Sequence, residues 1–69
     1  MELTDLQMAL LIAFNEARIP RNEAVALLTL LDKQEIEQIL DKIIEMNRLP
    51  TEQELMDIMW PILLAKDNS

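Results

Sequence analysis

Glu37, Asp41 and Glu45 recur at four-residue intervals, a spacing that stacks three carboxylates along one face of a helix. This row is the chain's nearest approach to reactive chemistry. Paired carboxylates can divide general acid and base work, and clustered ones can hold a divalent cation. Acid–base catalysis, however, needs a pocket that drives one pKa away from its neighbour's. The row falls on the polar side of an amphipathic segment, beside Lys42, so the reading is a solvated acidic face. Composition closes the other routes. The 69 residues contain no Cys, no His and no Gly. The hydroxyls are Ser69, near the chain end, and Thr4, Thr29 and Thr51, of which Thr4 and Thr51 serve better as helix caps. No imidazole exists to activate a nucleophile, and no glycine loop exists to cradle a phosphate. The chain reads as a non-enzyme with no catalytic residue, cofactor, small-molecule ligand or metal.

The elements that carry these residues are helices. Three S/T/D-x-x-E/Q patterns, Thr4–Gln7, Asp32–Glu35 and Thr51–Glu54, mark three helix starts as capping boxes. Pro20 stops the first helix, because the residue before a proline avoids the α region. The predicted fold is all-α: one domain over residues 1–69, built of two helix hairpins with helices at about 4–18, 21–31, 33–47 and 52–65. Leu6, Leu10, Ala13, Phe14 and Ala17 form the inner stripe of the first helix. Val25, Leu27, Leu28, Leu30 and Leu31 leave the second little polar surface, so it is expected to be the most buried. Ile36, Ile39, Leu40, Ile43 and Ile44 give the third a stripe at i, i+3, i+4, i+7 and i+8. Leu55, Ile58, Met59 and Ile62 are the inner residues of the fourth. Pro61 lacks the N–H a helix interior needs, which predicts a kink or an early end there, with Lys66 to Ser69 frayed.

A shift of thirty residues lays Arg18-Ile19-Pro20 on Arg48-Leu49-Pro50, and pairs Leu6 with Ile36, Ala9 with Ile39 and Phe14 with Ile44. The chain therefore reads as two similar hairpins stacked together. The two differ on the outer face. Gln38, Asp41 and Lys42 are matched in the first helix by Met8, Leu11 and Ile12. One hairpin has a solvated back and the other an apolar one. The competing reading makes the first helix the centre of the fold, enclosed by the other three.

A chain this short buries only about 60% of its unfolded surface, and small domains commonly add a disulfide, a metal or a partner. With Cys and His absent, partner binding is the support left. The sequence thus predicts a protein–protein interaction module, most simply a homodimer, centred on Met8, Leu11 and Ile12, with Phe14, Trp60 and Leu64 at its edge. The net charge of −7 repels phosphate backbones and anionic lipid. Residues 32 to 57 carry eight acids against Lys33, Lys42 and Arg48. A second reading is accordingly a small acidic inhibitor or adaptor, phage or mobile-element in type, binding a basic surface of a nucleic-acid enzyme. A third is a helix-turn-helix-like regulator acting through a partner, since its would-be reading helix is more acidic than basic. No leader or membrane span is visible, and the expected location is cytoplasmic.

Overall fold

The computed structural model describes residues 3–67. It contains four helices: α1 (Asp5–Glu16), α2 (Arg21–Leu30), α3 (Lys33–Met46) and α4 (Glu52–Asp67). All three capping boxes form. The Thr4 N–H donates to Gln7 Oε1 at 2.9 Å, and the Gln7 N–H returns a bond to Thr4 Oγ1 at 3.1 Å. Asp32 and Glu35 exchange bonds of 2.8 and 2.9 Å, and Thr51 and Glu54 bonds of 3.0 and 3.3 Å. Each box satisfies two backbone donors that a helix start otherwise leaves to water. Leu31 and Ile36, which flank the second box, are both buried. The exception is α2, whose start at Pro20 has no side-chain cap.

With no glycine available, two helices end through other residues in the left-handed region. Arg18 has φ 65° after α1, and Asn47 has φ 59° after α3. The Arg18 N–H donates to the Asn15 carbonyl and the Ile19 N–H to the Phe14 carbonyl, both at 3.0 Å. This is the bonding of a Schellman motif, completed by the burial of Ile19. Asn tolerates this conformation better than Arg does.

These turns overturn the thirty-residue register. Arg18 is the left-handed residue of its turn, whereas in the second turn that place belongs to Asn47, one position before Arg48. Ile19 is buried and Leu49 exposed; Pro20 is exposed and Pro50 buried. The resemblance of the two Arg-apolar-Pro triplets is one of letters, not of place.

The core is one cluster drawn from all four helices. Leu10 and Phe14 of α1, Leu28 of α2, Ile39 of α3, and Leu55 and Met59 of α4 are its largest fully buried side chains. No polar or charged residue is buried among the described residues. α1 packs against both α2 and α3, and α3 packs in turn against α4. The expectation that the second helix would be the most buried is therefore corrected. α2 packs mainly on α1, and only Ala24 and Leu28 are fully buried within it, against Leu10, Ala13 and Phe14 within α1. Ile44 is a second correction. Ile36 and Ile39 are buried in the core cluster, while Ile44, about 100° round the helix from Ile43, remains 73% exposed.

α4 does not end early at Pro61 but continues to Asp67. Pro61 and Asp57, whose carbonyl loses its helical donor, both lie on the exposed side, where water can replace the missing bond. The expected fraying also needs revision. Lys66 is helical and its Nζ donates to Glu35 Oε1 at 2.7 Å, tying the end of α4 to the start of α3. Asn68 and Ser69 lie outside the described residues. At the other end of α4, the Arg48 guanidinium makes a two-pronged pair with Glu54, Nη1 to Oε1 at 2.8 Å and Nη2 to Oε2.

Two predictions test these helix ends. A residue with a Cβ is strained at φ 65°, so Arg18→Gly should raise stability by roughly 0.5 kcal/mol, a Tm gain of about 2 to 4 °C, and Arg18→Val should lower it by roughly 1 to 2 kcal/mol. Thermal melts of the three proteins decide this. The Glu54 carboxyl is held down to about 2, from an ordinary 4.5, first by the Arg48 hydrogen bonds and then by the Thr51 N–H. A depressed carboxyl stabilises the fold above its unfolded pKa and loses that contribution as pH falls through the folded one. Glu54→Gln keeps the cap but removes the charge. Its Tm should lie below wild type at pH 7, and the gap should close between pH 4.5 and pH 2.

Candidate functional site

The inner stripe of α1 turns Leu10, Ala13 and Phe14 into the core. Side chains roughly opposite that stripe then face outward wherever α2 and α3 do not reach. Met8 and Ile12, one turn apart, are 50% and 58% exposed. Leu11 is half-buried, packed against the core on one side. Beside Leu11 and Ile12 a shallow hollow opens between α1 and the start of α2, walled by Asn15, Ile19, Arg21 and Ala24. α1 is thus flanked but not enclosed, and its outer face carries apolar side chains into solvent.

Phe14 is the clear correction among the proposed interface residues. It is fully buried, at 0% exposure, and belongs to the core. On the helix it lies 200° from Ile12, on the side that α2 and α3 cover. Trp60 and Leu64 are exposed, but they lie on α4 and line a depression with Leu30, Leu63 and Lys66. The six residues singled out in the sequence thus divide into an α1 patch, an α4 patch and one core residue. Leu30, Met56, Ile44 and Leu49 are exposed apolar residues that sequence reasoning did not select. The apolar stripe places Ile44 inward and the scarcity of polar residues in α2 places Leu30 there; no local signal separates either from its buried neighbours.

Glu37, Asp41 and Glu45 are all exposed on α3, and none is hydrogen-bonded or ion-paired among the described residues. No group of three or more carboxylates there is placed to hold a metal ion. With Gln34, Gln38 and Lys42 also exposed, this is a solvated helix face. No helix among the described residues is long and apolar enough to cross a membrane.

No protein-family model matches the chain, and no curated protein or solved structure does so either. Function has to be read from the surface itself.

Burial separates two residues that the sequence grouped together. Phe14→Ala should cost roughly 3 to 5 kcal/mol, enough to unfold much of so small a domain, whereas Ile12→Ala should cost less than about 1 kcal/mol. Urea denaturation of the pair checks this; equal losses would mean that Ile12 is covered.

Proposed function

We propose that this chain is a non-enzymatic protein–protein interaction module that self-associates through the outer face of α1. A single observation carries the reading: Met8 and Ile12 remain half exposed or more on a helix that already has two packing neighbours. In a two-fold dimer the face of one protomer meets the same face of the other. Met8 and Ile12 form the centre, Leu11 lies beside them, and Asn15 and Arg21 form a polar rim. The setting that suits such a module is a cytoplasmic one, with protein and not nucleic acid as partner.

Magnitudes limit the strength of the dimer. Covering the exposed halves of Met8 and Ile12 on both protomers yields roughly 3 to 6 kcal/mol of transfer free energy. Association itself costs at least about 4 kcal/mol. A standard interface also covers about 800 Å² per partner, which is far more than two side chains supply. The two side chains alone leave a surplus of about 2 kcal/mol at most, so Leu11 and the rim have to supply the rest. The expected dimer is weak, with Kd of about 1 mM, or about 4 kcal/mol. Two protomers of charge −7 repel each other, so added salt should strengthen the association by screening.

Sedimentation velocity from about 10 μM to a few millimolar tests the proposal. Wild type should shift from monomer toward dimer, more so at high salt, and Leu11→Glu with Ile12→Lys should remain a folded monomer. A wild type that stays monomeric at millimolar concentration would refute self-association. If the double variant loses its helical circular dichroism, α1 is enclosed and the face is not free.

A further inference from the structure

α2 packs mainly on α1 and α4 mainly on α3, and a trough of two hollows opens between α2 and α4. Met56, Trp60 and Leu64 succeed one another at i, i+4 and i+8 along the α4 bank. One half of the trough is lined by Ala26, Leu27, Leu30 and Met56, with Glu23 and Glu52 also at its wall. The other half is lined by Leu30, Trp60, Leu63 and Leu64, with Lys66 at its wall. Leu30 borders both hollows, and Met56, Trp60 and Leu64 carry the apolar lining from one to the other along α4. The trough's most prominent walls, Leu30 and Trp60, are each 55% exposed.

Charge sets the two ends apart. Glu23 and Glu52 stand in the first turns of α2 and α4, and neither has a hydrogen-bond or ion-pair partner among the described residues. Arg21 stands in the same turn of α2 as Glu23 but lines the hollow beside α1, so Glu23 and Glu52 are the charged groups that line this end of the trough. At the far end the Lys66 ammonium is already engaged by Glu35. The channel is apolar along its length, acidic at one end and internally compensated at the other.

We propose that the trough between α2 and α4 binds an amphipathic α-helix of a basic partner protein, its apolar face on Leu30, Met56, Trp60 and Leu64 and its Lys or Arg residues at Glu23 and Glu52. A helix is the fitting shape, because two helical banks present ridges and grooves into which a third packs. From Glu52 to Lys66 the trough follows roughly 21 Å of α4, about four turns. A second copy is the poorer occupant on charge grounds: it carries 13 acidic residues against 6 basic ones and would be repelled by the acidic end. Ile19 lines both this trough and the hollow beside α1, but Met8, Leu11 and Ile12 line no part of the trough, so its occupation does not depend on self-association.

Trp60 is the sole tryptophan, so its fluorescence reports occupation of the trough directly. The probe is a Trp-free synthetic peptide of about 16 residues, with Leu at helical spacing and Lys grouped at one end; its control carries Glu in place of Lys. The Lys peptide should produce a saturable shift of Trp60 emission to shorter wavelength. The Glu peptide should bind at least about ten-fold more weakly, and raising salt should weaken the Lys peptide several-fold. Glu23→Lys with Glu52→Lys should cost a similar factor, and Leu30→Glu should abolish the shift while helical circular dichroism stays unchanged. Leu11→Glu with Ile12→Lys should leave the titration unaffected, which keeps this result distinct from the fate of the dimer. The proposal is overturned by no saturable shift, by equal affinity for the two peptides, or by affinity unchanged in either trough variant. It is equally overturned if emission shifts with protein concentration alone, since a second copy would then be the occupant.

Discussion

Leu10, Phe14, Leu28, Ile39, Leu55 and Met59 meet at one place, and every helix contributes to that contact. Nothing polar is buried with them among the described residues, so apolar packing holds the centre of the fold, and the side-chain hydrogen bonds lie toward its surface. A cluster of this size can shelter one face of each helix. α1, α2 and α4 carry apolar residues on more than one face, and the surplus has to remain outside. The exposed Met8, Ile12, Leu30, Trp60 and Leu64 follow from that limit on capacity.

An apolar core is nearly indifferent to direction, and helix position is set by polar chemistry at the ends. The capping boxes fix where three helices begin. The left-handed residues Arg18 and Asn47 fix how α1 and α3 stop. Glu35 has two roles: its Oε1 accepts the Asp32 N–H within the capping box and also the Lys66 ammonium from α4. One carboxylate thereby starts α3 and aligns the end of α4 beside it. Arg48 and Glu54 do comparable work at the turn into α4. Individually such exposed pairs contribute little; their effect is on register.

The same arrangement bears on the functional proposals. α1 sits between α2 and α3, and α4 rests on α3, so the outer side of α1 and the space between α2 and α4 both stay open. The two openings differ in electrostatic character. The α1 patch, in self-association, would face a like-charged copy, whereas the trough ends in two unpartnered carboxylates. Salt therefore acts on them in opposite directions. The acidic face of α3 is exposed, and its Glu37, Asp41 and Glu45 do not converge on any point.

What the sequence determined by itself was local. Helix number and helix starts were legible because a capping box is complete within four residues, and the outward row of Glu37, Asp41 and Glu45 was legible because charged side chains stay in water. Tertiary structure alone decided which apolar residues are covered. Phe14 and Ile12 are similar in the letters, yet one is core and the other surface; Leu28 is buried and Leu30 exposed; Ile39 is buried and Ile44 is not. Spacing shows that a side chain shares a helix face with others. It does not show whether another helix lies against that face, because that depends on contacts between residues far apart in the chain. The left-handed turn residues, the continuation of α4 past Pro61 and the trough between α2 and α4 belong to the same category.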